Sequence, residues 1–258
     1  MSDASKFYAN VYKGDQYSNC DTAEKHPFAS TLRHFLDTYR LAGARCVEVG
    51  SGRGAFQDVV ANYTGVDYSP TVAHYYRKPF CNASCESLPF GDDSFDVAWS
   101  YAVLEHVDDP QRALEEIRRV LKPGGLLLLE PAWQCRPWAA DGYPVRPYSD
   151  FGFWGKLNKA SIPIRDSVLF RSAFVFPRRL RRLLGYLLRG ERTHPFMFRR
   201  LGANFETFWM SDSDALNSMD PFDALLFFAS RGDTCLNYPT LLRQFLVRTG
   251  PIIIRIQK

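Results

Sequence analysis

Nowhere in this 258-residue chain do apolar residues run far enough to cross a bilayer. A spanning helix needs about twenty predominantly apolar residues, and stretches such as Leu126–Leu129 or Ala224–Ala229 stop well short. The polar opening Met1-Ser2-Asp3-Ala4-Ser5-Lys6 lacks the apolar centre of a secretory signal, so a cytoplasmic location is expected. The six cysteines are scattered, and only Cys81 and Cys85 lie close together. No second pair or histidine cluster completes a zinc site, so no metal is expected and the cysteines read as free thiols. A net charge of +4 is too small to argue for a nucleic-acid partner.

What is present suits one large globular domain: 46% hydrophobic and 23% charged residues. An apolar strand over residues 45–49 runs into three glycines at alternate positions, Gly50-Ser51-Gly52-Arg53-Gly54, with Glu48 just ahead of them. Glycine lacks a Cβ and tolerates positive φ, so such a turn lets backbone N–H groups approach a ligand. A second short strand, Tyr63-Thr64-Gly65-Val66-Asp67, ends in an acid. In nucleotide-binding sheets an acid at the tip of the second strand holds ribose hydroxyls. Strand, glycine turn, strand and acid together make a nucleoside-cofactor site. The glycines alone do not choose the cofactor, because with Ala55 they also fit a dinucleotide pattern.

Three further blocks discriminate. Leu88-Pro89-Phe90-Gly91-Asp92-Asp93-Ser94-Phe95-Asp96 leads into Val103-Leu104-Glu105-His106-Val107, and an amphipathic segment ends in Leu121-Lys122-Pro123-Gly124-Gly125 before the strand Leu126–Glu130. With the glycine turn, these blocks closely resemble class I S-adenosylmethionine-dependent methyltransferases, in particular the type 11 group acting on small molecules. The resemblance covers residues 44–131. It implies an α/β fold with a Rossmann-like, doubly wound, mostly parallel sheet, and S-adenosylmethionine as cofactor with S-adenosylhomocysteine as product.

Site roles follow from the same resemblance. Gly50, Ser51, Gly52 and Gly54 would pass under the methionine and ribose portion. Glu48 would meet the cofactor's ammonium through water or order the loop. Asp67 would take both ribose hydroxyls, Tyr68 would stack near adenine, and Tyr101 would complete the site. Where the family usually carries an acid and an alanine ahead of the LPF block, this chain has Ser84-Cys85 followed by Glu86. The Ser84 hydroxyl or the Glu86 side chain, with the backbone of Cys85, would then serve the adenine amino group. His106 follows the fourth strand, at the rim where open α/β sheets bind substrates, and is the candidate general base. A structural role for this histidine is the alternative.

Beyond the core, the pattern implies four parts: an N-terminal cap and helix (1–42), the cofactor-binding core (43–131), an aromatic substrate lid inserted after the fifth strand (132–205), and a C-terminal completion of the sheet (206–258). Leu32, Phe35, Leu36 and Tyr39 predict a helix over 29–41, and Asp220-Pro221 opens another. Arg136 and Trp138 in the lid are candidate substrate contacts, with lid packing as the alternative. Ser211-Asp212-Ser213-Asp214 reads as a capping loop.

Residues 178–200 hold eight arginines against one acid, Glu191. Leu180, Leu183, Leu184, Leu187 and Leu188 at helical spacing predict an amphipathic helix over 178–189 with a basic face. Either its leucines pack on the core beneath solvated arginines, or it meets an anionic membrane surface or a phosphate-bearing substrate. Ser100-Tyr101-Ala102 stands where methyltransferases of amide or adenine nitrogen carry an Asn/Asp-Pro-Pro-Tyr/Phe signature. The expected acceptor is therefore a small-molecule or lipid-linked metabolite with an oxygen nucleophile. A nucleic-acid or protein methyltransferase using the basic lid, and a non-catalytic cofactor-binding domain, are the alternatives.

Overall fold

Strand β1 (Arg45–Val49) sends Val47 and Val49 to one apolar cluster and Cys46 to another, the two-residue alternation that a strand imposes. The computed structural model describes residues 7–8, 22–189 and 193–258; Tyr12, Tyr17, Cys20, Glu191 and Arg192 lie outside them. Helix α1 (Ala29–Thr38) precedes β1. Then come β2 (Asn62–Asp67), β3 (Phe80–Asn82), β4 (Phe95–Tyr101), helix α2 (Pro110–Val120) and β5 (Leu121–Glu130). An insertion follows, with helices α3 (Phe153–Asp166) and α4 (Val168–Arg189) and a ribbon of β6 (Phe198–Arg200) and β7 (Asn217–Met219). The chain ends with α5 (Pro221–Ala229), β8 (Thr234–Cys235), α6 (Leu241–Leu246) and β9 (Ile252–Arg255).

The main sheet has the order β3-β2-β1-β4-β5-β9-β8. Its first five strands are parallel, and β9 runs antiparallel to both β5 and β8. Both faces are covered, as a parallel sheet requires. Leu127 and Leu129 of β5 meet the side carrying α2 and α5, while Leu126 and Leu128 meet Leu32, Phe35 and Leu36 of α1. Asp109 caps α2 by accepting the Arg112 amide, and Pro110 occupies its first turn, where no N–H is missed. The expected mostly parallel, Rossmann-like sheet is therefore present.

Between β1 and β2 the chain makes successive turns, and between β2 and β3 it forms a 3₁₀ helix, Pro70–Tyr75. The β6–β7 ribbon pairs residues on either side of position 205. One expectation changes: α4 starts ten residues earlier than the leucine pattern indicated, and its faces are reversed. Leu180, Leu184, Leu187 and Leu188 are exposed, the last by 82%, while Arg179 is 1% exposed. Arg179 and Arg178 bind Asp220 at 2.5 and 2.9 Å, and Arg182 binds Asp223. Buried charge must be paired, and these two aspartates at the start of α5 supply the partners. Arg178, Arg179 and Arg182 are turned toward these partners, and Leu180, Leu184, Leu187 and Leu188 face outward.

Candidate active site

Gly50 adopts φ +76°, and a Cβ built there would stand 2.1 Å from a methyl carbon of Val103. Only glycine lets the β1 turn pass this close to the chain after β4. The Gly50 and Ser51 amides donate to the Val66 carbonyl, and the Gly52 amide donates to Asp67 Oδ2 at 2.8 Å. The other oxygen of Asp67 accepts the Ser69 amide at 2.8 Å. Burial pushes the Asp67 carboxyl up to about 6, against the lowering effect of those two amides. Tyr76 holds the turn from outside, its hydroxyl hydrogen-bonded to the Ser51 hydroxyl at 2.6 Å and lying 2.8 Å from the Gly52 carbonyl.

A cavity of about 220 Å³ opens at the carboxyl ends of β1, β2 and β4. Of the expected cofactor residues, Gly50, Asp67, Tyr68, Ser84, Cys85 and Glu86 line it, and His106 lines it too. Glu48, Ser51, Gly52, Gly54 and Tyr101 do not. Glu48 lies behind the turn, where it accepts the Tyr63 hydroxyl at 2.5 Å and where burial pushes its carboxyl up to about 8. Tyr101 stacks on Phe28 and meets the edge of His26. Ser84 Oγ accepts the Glu86 amide, and Glu86 in turn accepts the Asp109 amide at 3.0 Å, which ties the cavity wall to the start of α2. Ala102, also in the lining, has φ +51°, a left-handed conformation costly for a residue with a Cβ.

His106 ends a 3₁₀ turn, Leu104–His106, just after β4. Its Nδ1 lies 3.2 Å from Oδ2 of Asp214, and the Tyr8 hydroxyl donates to the same oxygen at 2.6 Å. Asp214, in the run read as a capping loop, is thus a buried partner of His106. His106 Nε2 is 3.8 Å from Glu105 Oε1, beyond hydrogen-bond reach. Glu105 is itself buried and accepts the Ala132 amide, and burial raises its carboxyl above the ordinary range. Nothing in the sequence near Tyr8 or Asp214 signals this pairing, because both lie far along the chain from His106. Arg136 and Trp138 line a second cavity instead, with Arg136 paired to Asp166 at 2.6 Å.

Residues 47–129 match the family model described as a methyltransferase domain. Over this segment the chain is similar to class I methyltransferases. An uncharacterized methyltransferase of Mycolicibacterium vanbaalenii is 40% identical over 99 residues, covering 34% of this chain and 39% of that protein. The sterol 4-C-methyltransferase strm-1 of Caenorhabditis elegans is 32% identical over 112 residues, covering 37% and 34%. The chain thus spans less than two-fifths of the length of these curated relatives. A solved Thermotoga maritima structure, described as a SAM-dependent methyltransferase and possible histamine N-methyltransferase, superposes over 99% of this chain and 100% of its own. Its TM-score is 0.50 at 18% identity, a likeness of fold alone. Among the described residues no helix is long and apolar enough to cross a membrane.

Proposed function

We propose that the protein transfers a methyl group from S-adenosylmethionine to an oxygen of a small-molecule or lipid-linked metabolite, with His106 as general base. One observation supports this reading: Gly50 at the head of the glycine turn, the Asp67 carboxylate and the paired His106 line a single cavity. The residues fit the cofactor. Each Asp67 oxygen spends one lone pair on a backbone amide and keeps another for a ribose hydroxyl. Tyr68, Ser84, Cys85 and Glu86 would hold the adenine side, and Gly50, Gly52 and Gly54 the methionine side. Glu48 and Tyr63 order the turn from behind.

When bound, the cofactor supplies a methyl group on a positively charged sulfur. The chain's own task is to orient the acceptor and to remove its proton. With Nδ1–H directed at Asp214, His106 presents the Nε2 lone pair to an acceptor hydroxyl, and the imidazolium that forms is stabilised by that carboxylate. Tyr8 fixes the carboxylate in place. A non-catalytic binding domain has no use for this arrangement. A nucleic-acid substrate held by the basic helix is disfavoured, because Arg178, Arg179 and Arg182 are committed to Asp220 and Asp223.

The outward leucines of α4, with Phe153 and Trp154 on α3, give the protein an apolar surface. Residues 151–189 also carry nine arginines and lysines against one acid, Asp166. An apolar stripe flanked by cations suits a peripheral contact with anionic lipid on the cytoplasmic face.

Calorimetry with S-adenosylhomocysteine tests the cofactor assignment. A charged hydrogen bond contributes about 1.5–3 kcal/mol, so Asp67→Ala should bind at least about tenfold more weakly. Unchanged affinity in the variant, or tight dinucleotide binding by the wild type, would overturn the reading.

A further inference from the structure

The second cavity, of about 360 Å³, lies between α4, the β6–β7 ribbon and the chain just after β5. Six arginines line it: Arg136, Arg165, Arg171, Arg178, Arg182 and Arg199. The carboxylates available to them are few. Asp166 serves Arg136, Asp223 serves Arg182, and Asp220 is shared by Arg178 with Arg179. Among the described residues, Arg165, Arg171 and Arg199 have no carboxylate partner.

Donor accounting points the same way. The buried Nε atoms of Arg165, Arg171 and Arg178 have no acceptor. Arg165 lies over the Trp138 ring at 4.5 Å and Arg136 over the same ring at 5.8 Å, so two cations share one aromatic ring. Among the described residues the Arg171 side chain donates to Gln134 Oε1, and burial, then repulsion from Arg136 and Arg248, lowers its proton affinity below the ordinary guanidinium range. Guanidinium does not deprotonate in proteins. Clustered, partly buried guanidinium groups with spare N–H donors call for an anion with several oxygens. Phosphate meets this need best, because the planar fork of arginine matches two of its oxygens at once.

We propose that this cavity binds a phosphate-type oxyanion, a mono- or diester, through Arg165, Arg171 and Arg199, with Trp138 holding two of the neighbouring cations in place. Phe174, Val175 and Met197 in the same lining provide an apolar wall for whatever group the phosphate carries. The site is separate from the cofactor cavity, though Leu216 lines that one and Ser218, two residues on, lines this one. A phosphorylated soluble metabolite and a phospholipid headgroup present the same chemistry here.

The test is direct binding by the full chain, independent of any methyl transfer. Inorganic phosphate, pyrophosphate and glycerol 3-phosphate are titrated calorimetrically, and vesicles containing phosphatidic acid are compared with pure phosphatidylcholine. Saturable, salt-sensitive binding should fall at least tenfold in Arg165→Gln/Arg171→Gln. It should fall severalfold in Arg199→Gln, an exposed position whose change leaves the melting temperature intact. Binding of the soluble phosphates assigns a metabolite as the source, and binding of phosphatidic acid alone, lost in the same variants, assigns a headgroup. Absence of binding to all four, or binding undiminished in the variants, would overturn the proposal.

Discussion

His106 Nδ1 lies 3.2 Å from Oδ2 of Asp214, a buried carboxylate that the fold brings back across the sheet rim. The proposed base role of His106 rests on this contact. A positioned base typically contributes about 10²–10⁴-fold. His106→Ala is therefore expected to lower kcat by about 100-fold or more with S-adenosylhomocysteine affinity unchanged. Asp214→Asn should produce a smaller loss in kcat, and Tyr8→Phe a smaller one still. A kcat within threefold of wild type in His106→Ala would remove the base role.

Gly50 is the tightest point of the cofactor turn. A methyl group there would collide with Val103 and would sit at φ +76°. Gly50→Ala should lose cofactor binding and about 1–3 kcal/mol of stability. Adding Val103→Ala should relieve the collision but leave the backbone strain, so recovery should be partial in both calorimetry and thermal melting. Complete recovery would show that only the collision matters.

Stability should depend on pH through the two buried acids of the turn. In the folded protein Glu48 is raised from an ordinary 4.5 to about 8, and Asp67 from 3.8 to about 6, in each case chiefly by burial. A raised carboxyl favours its neutral form in the native state, so its contribution is full below the unfolded value and is lost as pH rises through the folded one. The cofactor-free protein should thus melt several degrees lower at pH 9 than at pH 5. Glu48→Gln, which keeps an acceptor for Tyr63, should flatten the upper half of that decline. An unchanged profile in this variant would place the pH dependence elsewhere.

The reversed helix α4 separates two kinds of substitution. Arg179→Met leaves Asp220 short of its buried partner and should cost about 3–5 kcal/mol in denaturant unfolding. Leu184→Glu with Leu188→Glu alters only exposed positions, so stability should hold. Sedimentation with anionic vesicles at low salt should fall sharply in the leucine variant. If the wild type ignores such vesicles, the outward stripe has another use.

The cofactor half of this protein was legible in the chain because its signals are local. Gly50, Gly52 and Gly54 answer to backbone geometry within one turn, Asp67 ends the adjacent strand, and the apolar stripe of α2 repeats every helical turn. Such features depend on residues a few positions away, and the mostly parallel sheet was expected from them. The faces of α4 were not legible. Leucine spacing marks an amphipathic helix, but which stripe turns inward depends on what waits there, and Asp220 and Asp223 arrive from the start of α5. The same reason hid Asp214 and Tyr8, which meet His106 only after the insertion folds back over the sheet. Arg136 and Trp138 were visible as an unusual pair, yet only the packing of α4 against the β6–β7 ribbon decided that they line a cationic cavity and not the cofactor site. Local backbone demands can be read along the chain, whereas burial of charge is settled by partners that only the tertiary structure supplies.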